Sequence, residues 1–165
     1  MSGATAAAPV LRPMGPGDLD SVMAIERAIY AHPWSLGNFR DSLHAGYSCW
    51  VLETQGTTIG YCVMMLGVGE AHLLNLSVAP ACQRRGFGRA MLSHMLERAR
   101  ECGACEMLLE VRPSNVAARE LYAGMGFREL SVRRGYYPSA GGREDAILMA
   151  RACGVQDGAA TPRGE

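Results

Sequence analysis

The sequence predicts a mixed α/β domain, a central and mostly antiparallel sheet flanked by helices. Three observations predict it. Apolar runs of strand length alternate with segments whose apolar residues recur at helical spacing. The early strands follow one another through short turns, whereas the later ones are separated by helices, as crossovers require. The chain of 165 residues, 48% hydrophobic and 19% charged, suffices for one buried core.

Each element has its own justification. Residues 10–12 can form a short strand. Asp18 stands where an N-cap belongs, before a helix with apolar positions at Leu19, Val22, Met23 and Ile29. Ser35, after Pro33-Trp34, opens a second helix through Phe39 and Leu43. Residues 48–53 (SCWVLE) and 58–66 (TIGYCVMML) read as strands joined by a glycine-containing turn, and 71–78 (AHLLNLSV) as another that ends at Pro80. A loop rich in Arg and Gly follows. It leads into a helix carrying Met91, Leu92, Met95, Leu96 and Ala99 on one face and closing at Gly103. Residues 107–111 (MLLEV) form a short apolar strand before Pro113, and Ser114 or Asn115 caps a helix to about Gly124. From Phe127 to Ala150 two strands flank GYYPSAGGRED. The Ala/Gly-rich ends, 1–8 and 152–165, are expected to be flexible tails around one domain at 9–151.

Composition removes several function classes. With 16 basic and 16 acidic residues the formal charge is zero, so no global field draws the chain to nucleic acid or a membrane surface. No apolar run reaches membrane-spanning length and the N-terminus lacks the order of a signal peptide, which leads us to expect a soluble, cytoplasmic protein. Every basic residue is arginine, which excludes Schiff-base lysines and the lysine of a Walker loop. The 6 cysteines are expected as free thiols in a reducing compartment. Cys102-Gly-Ala-Cys105 has redox or zinc spacing, but no second pair follows it, and buried small thiols are the favoured reading. The histidines have no metal spacing either, so no metal is expected.

The informative stretch is Gln83-Arg84-Arg85-Gly86-Phe87-Gly88. A glycine-rich loop at the mouth of a helix offers unpaired N–H groups and the positive end of the helix dipole, which together suit a phosphate. Arg84 and Arg85 add charge, and Gly86 and Gly88 permit close backbone approach. Walker A fails for want of Gly-Lys-Ser/Thr, and the dinucleotide fingerprint fails because Met91 stands where its third glycine belongs. Taken alone, such a loop is more often a tight turn with solvated arginines.

It is not alone. The Gln-x-x-Gly-x-Gly pattern, the strand before it and the amphipathic helix after it resemble the pyrophosphate loop of the GCN5-related N-acetyltransferases (GNAT). Glu110-Val-Arg-Pro-Ser-Asn115 and Leu121-Tyr122-Ala-Gly-Met-Gly126-Phe127 follow at that family's spacing, and the resemblance spans roughly residues 10 to 150. HPWS (32–35), LEVRPSN (109–115), RRGYY (133–137) and GREDAILM (142–149) resemble the bacterial RimI type, which acetylates the N-terminal alanine of a small-subunit ribosomal protein.

The resemblance implies a sheet whose splayed strands bind acetyl-CoA. The thioester and pantetheine arm would lie along Leu76-Ser77-Val78, the pyrophosphate would meet the N–H groups from Arg84 to Arg89, and Asn115 would contact the cofactor through its amide. Glu110 shares a strand face with Leu108, so partial desolvation and a raised pKa would suit a general base; a solvent-facing Glu is an equal reading of the residues alone. Tyr122 lies seven residues after Asn115, nearly on the same helical face, and the motif assigns it as general acid where a core tyrosine is otherwise usual. Trp34, Tyr136 and Tyr137 either wall an acceptor groove or pack internally.

The implied reaction is acetyl transfer from acetyl-CoA to a protein N-terminal alanine by direct attack in a ternary complex, with a ribosomal protein as partner. Other N-termini, lysines or small amines are alternative acceptors. A non-catalytic acyl-CoA-binding module is the remaining alternative, disfavoured because it needs neither Glu110 nor Tyr122.

Overall fold

The computed structural model describes residues 8–154. Four strands form an antiparallel meander: β1 (Val10–Pro13), β2 (Ser48–Thr54), β3 (Thr57–Leu66) and β4 (Glu70–Val78). From Ile59 to Met64 every residue of β3 is buried, because both of its faces are covered. Tyr61 and Val63 point to a cluster with Val22 and Phe39; Cys62 and Met64 point to the opposite cluster with Met91, Leu92 and Met95. Side-chain alternation along a strand thus supplies two cores from one run of sequence.

The first cluster is roofed by α1 (Leu19–Ile29) and α2 (Leu36–His44), the second by α3 (Phe87–Glu101) and α4 (Val116–Gly124). The α3 face read from the sequence is buried at Met91, Leu92, Met95, Leu96 and Ala99. Ser35 caps α2 by accepting from the Asn38 N–H at 3.1 Å, while Asn38 Oδ1 accepts from the Ser35 N–H at 2.9 Å. Asn115, rather than Ser114, caps α4, accepting from the Ala118 N–H at 3.2 Å. Asp18 occupies the N-cap position of α1 but does not cap it. Its carboxylate is taken by Arg12 at 2.7 Å and by the Gly15 N–H at 2.8 Å, a charged partner outcompeting the helix.

Beyond β4 the sheet continues with β5 (Glu106–Val111), β7 (Gly142–Ala152) and, at the edge, β6 (Arg128–Ser139). β4 and β5 are parallel, and α3 is the crossover between them. Their pairing runs from Glu70/Glu106 to Leu73/Leu109 and no farther. At that point β4 bulges: Val63 pairs with Asn75 but Met64 with Leu73, leaving Leu74 as the extra residue. β5 stays with β7 through Val111, so the two parallel strands part.

Three expectations are corrected. GYYPSAGGRED is mostly strand, and the turn between β6 and β7 is confined to Ala140-Gly141; Pro138 is tolerated because β6 is an edge strand. Cys102 and Cys105 are exposed rather than buried, since the turn through Gly103 at the end of α3 lies on the surface. Ala152 belongs to β7, and the Cys153 N–H donates to the Cys105 carbonyl at 2.8 Å. The remainder of the two expected tails lies outside the described residues, apart from Ala8 and Gly154.

Candidate active site

Where β4 and β5 diverge, backbone groups of β4 lose a sheet partner on that side. The gap opens into a cleft of about 530 Å³ lined by Leu76, Ser77 and Val78 on one wall, Arg84, Gly86, Phe87, Gly88 and Arg89 at one end, and Asn115, Ala118 and Tyr122 on the other wall. Arg84 and Gly86 adopt left-handed backbone, with φ of 64° and 83°. That conformation turns the chain sharply into α3, and among the described residues none of the N–H groups of 84–89 has an acceptor. A row of unpaired donors at a helix N-terminus, flanked by Arg84 and Arg89, is a fit for a pyrophosphate. Gln83 fixes the loop to the strand end by donating to the Val78 carbonyl at 3.0 Å. Gly88 is tight for a different reason: a Cβ there would stand 3.3 Å from the Leu121 side chain, which would have to shift where α3 and α4 close on each other.

A second cavity, about 270 Å³, meets the cleft at Tyr30, Leu76, Asn115, Ala118 and Tyr122. Its other walls include Trp34, Leu74, Glu26, Glu110 and Tyr137. Tyr122 therefore stands between the two spaces. It is 7% exposed, and among the described residues its hydroxyl has no hydrogen-bond partner. Burial raises its pKa well above the ordinary phenol value, so it stays protonated at neutral pH. Glu110 has a side chain 16% exposed and lies 3.9 Å from Arg133. Tyr137 is pushed up to about 12 by burial, with the Glu110 charge adding to it.

Two polar clusters hold this geometry. Glu26, on α1, is 2% exposed. Its Oε1 accepts from the Tyr61 hydroxyl and the Asn75 amide, each at 2.8 Å, and its Oε2 accepts from the Trp34 N–H at 3.1 Å. Asn75 Oδ1 in turn accepts from the Ser77 hydroxyl at 2.8 Å, and the Ser77 and Tyr30 hydroxyls are 2.8 Å apart. The second cluster ties the β6–β7 hairpin to the start of α4. Glu144 accepts from the Ser114 N–H at 2.7 Å and faces Arg112 at 3.4 Å, while Arg112 donates to the Pro138 carbonyl at 2.7 Å and lies over the Tyr137 ring at 4.3 Å. Hydrogen bonding from Ser114, with Arg112 adding, holds the Glu144 carboxyl below the usual carboxylate range.

The structure brings together Leu76, Ser77, Val78, Arg84, Gly86, Phe87, Gly88, Arg89, Asn115 and Tyr122 around one cleft, and Glu110 with Tyr122 around the adjoining cavity. Arg85 is the exception: it is exposed and does not line the cleft, because the left-handed turn at Arg84 and Gly86 points successive side chains apart. Trp34 both packs against Phe39, with ring centroids 5.0 Å apart, and lines the cavity. Glu26, Tyr30 and Asn75 escaped the sequence reading. A signal for Glu26 existed: it falls on the buried stripe of α1, four residues after Val22 and three before Ile29.

Comparison with known proteins agrees with this fold. The family model described as the acetyltransferase (GNAT) family matches residues 19–127. A curated relative, the ribosomal protein bS18-alanine N-acetyltransferase of Escherichia coli, is 40% identical over 133 residues, which cover 81% of this chain and 90% of that one. The crystal structure of the ribosomal-protein-S18-alanine N-acetyltransferase from Escherichia coli has a TM-score of 0.84 at 36% identity, covering 90% of this chain and 96% of that one. Arabidopsis thaliana NAA60 in complex with acetyl-CoA shares the fold, with a TM-score of 0.79 at 20% identity over 88% of this chain and 98% of that one.

Proposed function

The chain belongs to the acetyltransferase (GNAT) family, and from that premise we propose that it moves acetyl from acetyl-CoA to the N-terminal alanine of ribosomal protein bS18. The observation that carries this reading is the junction of two spaces at Tyr122, one fitted to an acyl-CoA and the other to an amine, in a chain 40% identical to an enzyme of that name.

Each residue has a role that its position supports. The N–H groups of 84–89, with Arg84 and Arg89, hold the pyrophosphate. The free edge of Leu76-Ser77-Val78 pairs with the pantetheine arm as an added strand, and a backbone N–H there polarises the thioester carbonyl. Asn115 spends its Oδ1 on the α4 cap, which leaves its amide N–H groups for the cofactor. An N-terminal amine has a reference pKa of about 7.7–8.0, so it arrives mainly as ammonium at neutral pH and must lose a proton. Glu110 accepts that proton, directly or through a water. The new N–C bond forms as the C–S bond breaks, and Tyr122 donates its proton to the departing sulfur.

The test is mass spectrometry after incubating the protein and acetyl-CoA with two peptides. One carries the bS18 N-terminus with a free alanine; the other has a blocked N-terminus and an internal lysine. Acetyl on the free alanine alone is expected. Acetyl on lysine transfers the assignment to another acceptor, and no acetyl on either peptide sinks it.

A further inference from the structure

Glu26 is a buried carboxylate for which the proposed chemistry has no use. Transferring a carboxylate into a protein interior is costly unless a cation or several donors compensate it. Here donors do so: Trp34, Tyr61 and Asn75 all donate to it, and among the described residues no arginine or histidine forms an ion pair with it. Accepting every bond is the behaviour of the ionised form. Burial raises the pKa values of Tyr30 and Tyr61, and the charge on Glu26 raises both further.

This carboxylate, held by donors and not by a cation among the described residues, lines the acceptor cavity together with Glu110: α1 bears one, β5 the other. The arginine that shares the cavity wall is otherwise engaged: Arg112 is committed to Pro138, Glu144 and the Tyr137 ring. A low-dielectric pocket with two carboxylates in its wall attracts a cation from solution.

Building on the reading of the acceptor as a terminal amine, we infer that Glu26 is the anion that draws the incoming α-ammonium into this cavity and holds it beside Glu110. Glu110 then takes the proton. The division of labour follows from hydrogen bonding. Three donors occupy the Glu26 oxygens, whereas the nearest charged group to Glu110 is Arg133 at 3.9 Å. The bonds to Trp34 and Asn75 also set the loop over the cavity and the strand beneath it, so the same carboxylate positions both walls.

The experiment compares two ligands on the full chain in the presence of CoA: a bS18-type peptide beginning with alanine, and its des-amino analogue beginning with a propionyl group. Calorimetry should show wild type preferring the amine by about tenfold or more. In Glu26→Gln most of that preference is lost while affinity for the des-amino peptide changes little. Tyr61→Phe, which removes a donor and leaves the charge, retains the preference. So does Glu110→Gln, which leaves Glu26 as the anion in the wall and does not depend on how Glu26→Gln folds. The inference is overturned if Glu26→Gln keeps the wild-type preference, if it weakens both peptides equally, or if Glu110→Gln abolishes the preference. Wild type that binds neither peptide refutes the acceptor assignment itself, and wild type that binds both equally refutes the role of Glu26.

Discussion

Leu73 and Leu109 face each other as the last paired residues of β4 and β5, and every feature of the candidate site lies beyond them. Up to this pair the two strands are ordinary parallel neighbours. Past it, the bulge at Leu74 turns β4 toward β3 while β5 follows β7. The gap exposes Leu76-Ser77-Val78 on one side and leaves Glu110 on the other. A wedge of this kind puts the unpaired edge of β4 and the Glu110 carboxylate on separate strands with a cleft between them.

Tyr122→Phe keeps the ring that packs against Phe127, with centroids 5.7 Å apart, and removes only the hydroxyl. The expected result is a kcat lower by about 10²-fold, in the range of general-acid catalysis, with acetyl-CoA affinity near wild type. Because burial raises the phenol pKa, protonated Tyr122 persists as pH rises above the ordinary tyrosine value of about 10. The wild-type rate should therefore show no decline from this group between about pH 7 and 9. Steady-state kinetics across that range checks both statements.

Glu110→Gln should lower kcat/KM for an alanine-starting peptide by about 10²-fold or more. The loss should shrink as pH rises above the amine's own value of about 8, where the substrate arrives already deprotonated. A deficit that is constant across pH in the pH–rate profile rejects Glu110 as the base.

Gly86→Ala isolates the left-handed backbone of the loop. Among the described residues no atom lies within 4 Å of the added Cβ, so the cost comes from φ of 83°, about 1–2 kcal/mol. Relief of that strain reorients the unpaired N–H groups, and acetyl-CoA affinity should fall about tenfold; Gly86→Asp adds a like charge beside the pyrophosphate and should abolish binding. Calorimetry measures both, and an unchanged affinity in Gly86→Asp places the pyrophosphate elsewhere.

The Glu144 clasp predicts an acid dependence. Its carboxyl is held below the ordinary glutamate value of about 4.3, so its stabilising effect is complete above that value and is lost as pH falls through the depressed one. Thermal melts of wild type and Glu144→Gln should thus differ by a constant amount at neutral and mildly acidic pH and converge below about pH 4. Peptide KM should rise in the variant, because the charge-assisted bonds by which Glu144 ties the β6–β7 hairpin to Ser114 and Arg112 are weakened.

Much of the site was legible because it rests on local rules. A glycine needed for left-handed backbone, a helix whose N-terminus follows a strand, and an asparagine at an N-cap are all written within a few residues of one another. Asn115 and Tyr122 share a helical face for the same reason. What escaped depended on distance along the chain. Glu26 joins Tyr61 and Asn75, residues 35 and 49 positions away, and only packing of α1 over β3 and β4 creates that contact. Which of Arg84 and Arg85 lines the cleft was likewise not legible, because the loop's path, not its composition, decides it: Arg84 does and Arg85 does not.

The sequence by itself determined the elements, the sheet flanked by helices and the Arg/Gly loop at the mouth of α3, since periodicity, capping and glycine placement act over one turn or one strand. Tertiary structure decided where the parallel pairing stops, which carboxylate is buried without a cation and which surface becomes the shared wall of two cavities. These depend on register between strands and on which donors reach a charge, and such relations arise only once distant segments are packed together.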